Sequence, residues 1–272
     1  MSLGRMNRPN LIGPVLIGMV HLPPLPGSPR FAGSLNDVVA FARRDGLTLK
    51  AAGFPALMVE NFGDAPFYAD EVPPVTVAAM TRAVSEIVES TGLPVGVNVL
   101  RNDALSALAV AAVTGASMIR VNVLTGLMNT DQGPIVGRAA EILRERQRLC
   151  PQVGILADVF VKHASPPFAA TIEQAGLDTW ERGGADALVV SGTGTGAVPD
   201  FDEVARLRKA VPDATILLGS GASPASLPGL AEIADGAIVG TSIKKGGDVF
   251  NPVDLELARA MVRAATDLGW VV

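Results

Sequence analysis

Eight short apolar segments alternate with eight longer amphipathic segments along this chain, and this alternation constrains its fold more than any other feature. The apolar segments are nearly continuous runs, which is typical of parallel strands covered on both faces. Eight strand–helix units predict a (β/α)8 barrel. A doubly wound open sheet is the alternative, although that fold does not require exactly eight units. The strand candidates are Val15–His21, Ala56–Asn61, Val95–Leu100, Met118–Asn122, Val153–Phe160, Ala187–Ser191, Thr215–Ser220 and Ala237–Thr241. The helix candidates are Leu35–Ala52, Thr76–Thr91, Asp103–Thr114, Ile135–Leu149, Thr171–Arg182, Asp200–Ala210, Pro224–Ile233 and Val253–Leu268.

The 272 residues contain no linker of serine, glycine or charged residues. We therefore predict one barrel domain over residues 13–272 after an N-terminal tail of residues 1–12. The single cysteine, Cys150, excludes an internal disulfide and suits a reducing cytosol. No apolar signal segment is visible, and glycine, serine or proline interrupts the uncharged stretches, so we expect a cytoplasmic protein without an integral membrane segment.

The formal net charge of −5 comes without any basic stripe carrying interleaved aromatic residues. Nucleic acid is therefore not an expected partner, because affinity for phosphate backbones depends on clustered Lys and Arg. We expect instead a small phosphorylated ligand and a homo-oligomer.

Glycine-rich turns follow the last three strand candidates, with the sequences SGTGTG (191–196), GSGASP (219–224) and VGTSIKKGG (239–247). Backbone N–H groups approach an anion closely where no Cβ intervenes, and barrels commonly bind phosphate at loops seven and eight. These turns predict a phosphate site, assisted by a helix N-terminus, and the alternative is that the glycines only make tight turns. Lys244 and Lys245 either add charge or are solvated. The phosphate-binding candidates are Ser191, Gly192, Gly194, Gly219, Ser220, Gly221, Gly240, Thr241 and Ser242.

Polar residues end the other strands, at the barrel face where active sites lie. The acid/base candidates are His21, Glu60, Asp158 and Lys162. Asp158 and Lys162 are four residues apart, and an extended strand would place them on one face, where the carboxylate would keep the ammonium charged for ligand anchoring or acid/base work. A rim ion pair is the alternative for these two, and a histidine hydrogen-bonded to a neighbouring strand end is the alternative for His21.

Further polar residues at these strand ends are candidates for binding substrate: Asn98, Arg101, Arg120, Asn122 and, with a less favourable position along its strand, His163. We expect no cofactor and no metal site, because strand one carries no His-x-His and no tight Asp/His cluster is present. A divalent ion held by Glu60, Asp158 and a phosphate is the alternative. The proline-rich first loop, HLPPLPGSP (21–29), is expected to fix His21 and to wall the pocket.

Six segments in order, MVHLPPLPGSP, VNVLRND, RVNVLTGLMNTDQG, ADVFVKHASP, VSGTGTG and GTSIKKGGDVFNPVD, resemble the BtpA/SgcQ family over residues 13–263. The resemblance implies a barrel of the ribulose-phosphate-binding or aldolase type without a settled reaction. Cyanobacterial members are linked to accumulation of photosystem I, and others to sugar uptake and metabolism. The resemblance adds Asp131 to the substrate-binding candidates, while Phe160 stands where a smaller or polar residue is expected.

Two functions follow from these observations. The first is an enzyme that performs isomerase, epimerase or lyase chemistry on a sugar phosphate or nucleotide fragment. The second is a non-catalytic assembly or stability factor for a larger complex, which would need an exposed apolar patch, with the second loop NFGDAPFYADEVPP (61–74) as the best candidate.

Overall fold

Eight parallel strands close into a barrel in the computed structural model, which describes residues 15–270 except 168, 169, 193, 195, 197 and 198. The strands are β1 (Val15–His21), β2 (Ala56–Glu60), β3 (Val95–Asn98), β4 (Met118–Val121), β5 (Leu127–Thr130), β6 (Gly133–Val136), β7 (Gly154–Val159), β8 (Ala164–Ser165), β9 (Ala187–Val190), β10 (Ile216–Leu218) and β11 (Gly236–Val239). The barrel order is β1-β11-β10-β9-β7-β4-β3-β2, and β11 pairs with β1 to close it. The predicted (β/α)8 fold is therefore confirmed. The N-terminal tail, residues 1–12, lies outside the described residues.

The helices of the described chain are α1 (Leu35–Ala52), α2 (Pro74–Thr91), α3 (Ala104–Thr114), α4 (Ala139–Leu149), α5 (Ile172–Leu177), α6 (Phe201–Ala210), α7 (Leu227–Leu230) and α8 (Leu255–Asp267). A π-helical turn, Asp178–Arg182, continues α5. Helix α1 begins at a capping box, in which the Ser34 hydroxyl accepts from the Asp37 N–H and the Asp37 carboxylate accepts from the Ser34 N–H. None of the described helices is both long enough and apolar enough to cross a membrane.

Two predicted helices differ from the structure. The helix predicted over Pro224–Ile233 is reduced to α7, because Pro228 and Gly229 are both poor helix formers. The helix predicted over Ile135–Leu149 begins only at Ala139, because Ile135 and Val136 belong to strand β6.

A three-stranded antiparallel sheet, in the order β6-β5-β8, stands apart from the barrel. Strands β5 and β6 form a hairpin whose turn lies between Thr130 and Gly133. Met128 and Ile135 of this hairpin form a small buried cluster with Val123 and Val161. Because Val161 precedes Lys162, the hairpin supports the loop that follows β7.

The barrel has two apolar cores because each strand is buried on both faces. On β10, Leu217 points into the barrel, whereas Ile216 and Leu218 pack under the helices. The inner core contains Ile17, Met19, Ala56, Met58, Met118, Leu156, Ala187, Val189, Leu217 and Ile238.

The proline-rich first loop packs on the second loop. The Leu22 N–H donates to the Glu60 carbonyl at 2.8 Å, and the Leu25 N–H donates to Asp64 Oδ1 at 2.8 Å. Gly63 passes so close to Pro24 that a Cβ there would collide with the proline nitrogen. The loop thus holds the end of β1 against the end of β2, where His21 and Glu60 lie.

Candidate functional site

The last inward-facing position of each barrel strand carries the residues of the site. Side chains alternate between the two faces of a strand, so the residue two positions beyond the inner core also faces inward. Six strands place a polar side chain at this level, and the neighbouring strands β10 and β11 place glycine there. Going round the barrel from β1 to β2 and on to β11, the residues at this level are His21, Glu60, Asn98, Arg120, Asp158, Ser191, Gly219 and Gly240.

A cavity of about 290 Å³ opens beside the two glycines, at the carboxyl ends of the barrel strands. Met19 and Ile238 of the inner core line its base. The prolines of the first loop are not among the described residues that line it, although His21, where this loop begins, is. The described residues lining the cavity are Met19, His21, Glu60, Arg120, Lys162, Gly196, Gly219, Ser220, Gly221, Ala222, Ser223, Ile238, Gly240, Thr241, Ser242 and Gly247.

One side of this cavity consists of backbone with unused hydrogen-bond donors. Five N–H groups donate to none of the described residues, and they belong to Gly221, Ala222, Gly240, Thr241 and Ser242. All five residues line the cavity. Ala222 is buried and the other four residues are half-buried, and several free donors along one wall of a cavity provide a surface suited to an oxyanion.

Glycine is required where β10 ends. A Cβ at Gly219 would collide with Ser191 Oγ and would lie 2.9 Å from Arg120 Nη2. At Gly240 a Cβ would lie 2.7 Å from His21 Cε1. Any side chain at either position would therefore fill the cavity or displace the polar groups beside it.

Six of the nine phosphate-binding candidates line the cavity, namely Gly219, Ser220, Gly221, Gly240, Thr241 and Ser242. The Gly192 N–H instead donates to Ser220 Oγ at 2.9 Å, and Ser191 Oγ lies 3.3 Å from Asp158 Oδ1. Gly194 does not line the cavity and approaches His163. Thr193 and Thr195 of the same turn lie outside the described residues.

The helix N-terminus expected at the phosphate site is not that of a long helix. Helix α7, after β10, has only four residues, and the segment after β11 begins with one 3-10 turn, Thr241–Ile243. The positive potential on this side must therefore come from individual N–H groups and not from a long helix dipole.

His21 and Glu60 line the cavity from the ends of the neighbouring strands β1 and β2, with His21 directly beside Gly240. His21 Nε2 lies 3.9 Å from Glu60 Oε1, and both residues are buried. His21 Nδ1 is buried and has no hydrogen-bond partner among the described residues. Burial lowers the pKa of His21 well below 6.5, and the charges of Lys244, Lys162 and Arg120 lower it further. The imidazole is therefore neutral at pH 7, with one nitrogen able to accept a proton.

Lys162 completes the polar side of the cavity from the loop after β7. Phe160 and His163, on either side of it, adopt the left-handed backbone conformation, with φ of 57° and 56°. This conformation is rare for bulky residues and turns the chain sharply out of the strand. Burial lowers the Lys162 pKa, and the nearby charge of Glu60 offsets part of this effect.

The predicted ion pair between Asp158 and Lys162 is not formed. The strand ends at Val159 and Phe160 turns the chain, so the two side chains no longer follow one extended face. Asp158 instead accepts two hydrogen bonds from Arg120, at 2.8 Å from Nε and 2.7 Å from Nη2. Burial opposes the charge on Arg120, yet Asp158 and Glu60 raise its pKa overall.

The asparagine side chains at the mouth form a hydrogen-bonded network. Asn98 Nδ2 donates to the Arg120 carbonyl at 3.1 Å and to Asn122 Oδ1 at 3.0 Å. Asn102 donates to the Val123 carbonyl and accepts from the Val123 N–H. These contacts hold neighbouring strand ends in place, and none of the three asparagines lines the main cavity.

The remaining substrate-binding candidates lie on the side of the mouth away from the glycines. Arg101 is 4% exposed and donates to the Lys162 carbonyl at 2.5 Å. His163 is exposed, and its pKa is lowered by partial burial and by the charges of Arg101 and Lys162. Asp131 lies at the exposed hairpin turn and accepts from Gln132 Nε2. It lines neither the main cavity nor the side cavity described below.

Lys244 lies in the protein interior and does not line the cavity. It is fully buried, and its Nζ donates to Asp45 Oδ2 of helix α1 at 2.8 Å. The Val253 N–H also donates to Asp45, at 3.3 Å. This buried pair fixes the loop after β11 to α1, a role that the sequence does not suggest because the partners are 199 residues apart.

No three His, Cys, Asp or Glu side chains within the described part of the chain come together as a group that could hold a metal ion. Both carboxylate oxygens of Asp158, one of the residues named for a divalent ion, are hydrogen-bonded to Arg120.

Comparison with solved structures agrees with the barrel. A structure described as native KDPGal aligns with a TM-score of 0.59 at 13% identity, covering 93% of this chain and 95% of that chain. Orotidine 5'-phosphate decarboxylase from Pyrococcus horikoshii aligns with a TM-score of 0.53 at 15% identity, covering 92% and 99%. At such low identity these structures support the fold alone.

Sequence comparison gives closer relatives. An uncharacterized protein of Thermococcus kodakarensis is 49% identical over 93% of this chain and 95% of its own length. The photosystem I biogenesis protein BtpA of Synechocystis is 44% identical over 93% and 88%, and the putative sgc region protein SgcQ of Escherichia coli is 32% identical over 88% and 89%. The BtpA family model matches residues 13–267, and this chain belongs to the BtpA family.

Proposed function

We propose that this protein is an enzyme that binds a small phosphorylated metabolite, a sugar phosphate or a nucleotide fragment, and moves a proton on it. The reaction class is that of an isomerase, an epimerase or a lyase. The observation that carries this proposal is the pair of glycines at the ends of β10 and β11. They leave a cavity that is lined both by unused N–H donors and by the side chains of His21, Glu60 and Lys162.

The N–H groups of Gly221, Ala222, Gly240, Thr241 and Ser242 bind the phosphate. Several N–H donors directed at one oxyanion stabilise its charge without a counter-charge, as in other nests of backbone amides. The phosphate then fixes the rest of the metabolite against the polar side of the cavity.

The neutral imidazole of His21 accepts a proton from the carbon beside the substrate carbonyl, and Glu60 stabilises the imidazolium that forms. The electron pair of the broken C–H bond moves toward the carbonyl oxygen, which the Lys162 ammonium stabilises. Return of the proton to the same carbon from the other face gives an epimer. Its return to the former carbonyl carbon, while the hydroxyl proton of the first carbon moves to the former carbonyl oxygen, gives an isomer. Arg120 and Asp158, which bind one another, are positioning residues in this scheme.

Binding is tested by isothermal titration calorimetry with D-ribose 5-phosphate and by thermal shift with a panel of sugar and nucleoside phosphates. We expect the wild-type protein to bind and to be stabilised by mass action. Gly240→Ala places a methyl group 2.7 Å from His21 Cε1, inside the cavity, and should weaken binding at least tenfold.

Gly46→Ala is the matched control, because a Cβ at this position of α1 meets only ordinary contacts, the nearest at 3.4 Å. It should bind as the wild type does. Absence of binding by every phosphate compound, or equal binding by the Gly240→Ala and wild-type proteins, contradicts the proposal.

Assembly of a larger complex remains the second candidate because the 44% identical Synechocystis relative is named as a photosystem I biogenesis protein. In the second loop, Tyr68 is 57% exposed, and the nearby Val75 at the start of α2 is 43% exposed. This function predicts a folded protein that no phosphate compound stabilises. It also predicts that a Tyr68→Ser, Val75→Ser variant loses a partner that the wild type retains on co-purification from its native cells.

A further inference from the structure

A second, smaller cavity adjoins the proposed active site and has a different chemistry. It has a volume of about 180 Å³, and Glu60 and Lys162 line both cavities. Its other lining residues come from the first, second and last loops and from the segments after β3 and β7. They are Arg30, Phe62, Ala65, Phe67, Leu100, Arg101, His163 and Phe250.

Arg101 is the feature of this side cavity that requires an explanation. The residue is 4% exposed, and no carboxylate of the described chain lies within 4 Å of its guanidinium. Its Nε is buried and has no hydrogen-bond partner among the described residues, and Nη2 donates only to the Lys162 carbonyl. A buried guanidinium without an ion pair is costly, in contrast to Arg120, whose charge Asp158 satisfies.

The electrostatics of the cavity favour an anion. Lys162 and Arg30 add positive charge beside Arg101, and Glu60 is the one carboxylate among the lining residues. Burial lowers the Arg101 pKa, and Asp158, Glu60 and Asp131 offset this effect only from a distance, since none of them forms an ion pair with it. A guanidinium remains charged at neutral pH under such conditions.

Aromatic rings line part of this site, Phe62 half-buried and Phe250 55% exposed. Phe62 lies between His21 and Phe250, with ring centroids 5.0 Å and 5.7 Å apart, and the Arg30 guanidinium lies 5.9 Å from the Phe250 centroid. Apolar walls around a cationic group strengthen its attraction for a bound anion, because the local dielectric constant falls. The volume suits one small group and no more.

We propose that Arg101 binds a second anionic group of the substrate, so that the substrate class is a small metabolite with an anionic group at each end. One end is the phosphate at the glycine loops, and the other is a carboxylate or a second phosphate in the side cavity. The inference rests on the proposed function and specifies its substrate. Lys162 and Glu60 lie between the two anionic ends, beside the reacting carbons.

Three ligands of similar length test this inference by isothermal titration calorimetry. D-ribose 5-phosphate carries one anionic end, 5-phospho-D-ribonate carries a carboxylate at the other end, and D-ribulose 1,5-bisphosphate carries a phosphate there. We expect at least one of the doubly anionic ligands to bind tenfold or more tightly than D-ribose 5-phosphate, because a hydrogen bond to a charged group is worth about this factor. Whichever binds more tightly identifies the second group.

The Arg101→Gln variant should reduce this affinity ratio to about one, and Arg101→Lys should retain part of it. Arg82→Gln, on the exposed side of α2, is the control for loss of one positive charge and should keep the wild-type ratio. Circular dichroism melting establishes that each variant is folded.

The outcomes separate the two proposals. If D-ribose 5-phosphate binds and Gly240→Ala weakens it, but neither second anion improves affinity in the wild type, the proposed function stands and this inference is overturned. A tighter doubly anionic ligand whose advantage survives Arg101→Gln overturns it as well. If no phosphate compound binds at all, the proposed function is wrong, and this inference, which rests on it, is overturned as well.

Discussion

At the scale of single residues, the pair formed by Arg120 and Asp158 separates what the sequence can predict from what it cannot. Both residues are recognisable in the sequence as charged groups at the ends of apolar strands, where they must be paired or used. The partner of Asp158 is not recognisable, because spacing along one strand favours Lys162, whereas the contact comes from the neighbouring strand β4. Pairing across strands depends on register, which a single sequence does not contain.

Asp158→Asn should destabilise the protein by about 3–5 kcal/mol, because it leaves the Arg120 guanidinium buried without its counter-charge. Urea unfolding followed by circular dichroism measures the change. Glu145→Gln, which breaks the exposed pair with Arg148 on α4, should leave the urea midpoint nearly unchanged. The double variant Arg120→Met, Asp158→Asn should be more stable than Asp158→Asn alone, and an equal or lower stability would show that the unpaired charge is not the cause.

At the scale of elements, the regular strand–helix units could be predicted and the irregular ones could not. The sequence places β1 and α1 at their observed bounds, because hydrophobic periodicity and capping residues are local signals. It misses the hairpin of β5 and β6, since the four-residue strands are too short to show a period. The third strand, β8, pairs with β5 through residues 34 and 36 positions further along the chain. The glycine turns at the ends of β10 and β11 could be predicted from the sequence, because glycine alone tolerates so close an approach of the backbone to neighbouring side chains.

The hairpin should open as a unit separate from the barrel, because Met128 and Ile135 pack in a cluster of their own. Ile135→Ala removes a fully buried side chain and should lower the local opening free energy of the hairpin by about 2–5 kcal/mol. Hydrogen exchange of residues 127–136 and 160–165 measures it, with barrel-strand amides unchanged. Val136→Ala, at a position 53% exposed on the same hairpin, is the control. An equal loss of protection in all barrel strands would mean that the hairpin unfolds with the barrel.

At the scale of the whole molecule, closure of the barrel brings together groups that are remote in the sequence. Burial lowers the pKa of His21, and the charges of Lys244, Lys162 and Arg120, which come from three different parts of the chain, lower it further. The sequence predicts that these groups lie near one mouth, because eight parallel strands end on the same side. It does not predict their mutual distances, so neither the depressed His21 pKa nor the buried pair of Lys244 with Asp45 follows from it.

This arrangement makes the stability of the whole protein depend on pH. Unfolding exposes His21 to water and separates it from the three cations, so its pKa returns to about 6.5 and the unfolded chain binds the proton more readily than the folded one. The contribution of His21 to the free energy of unfolding is therefore fully present above pH 6.5 and is lost as the pH falls below that value toward the lowered pKa of the folded state.

The free energy of unfolding, measured in urea between pH 7.5 and 5, should fall with decreasing pH in the wild type. His21→Gln should flatten this slope, whereas His163→Gln should change it less, because His163 is exposed and only partly desolvated. A slope that is unchanged in His21→Gln would mean that His21 is not held neutral in the folded protein, and the proton-accepting role proposed for it would then be wrong.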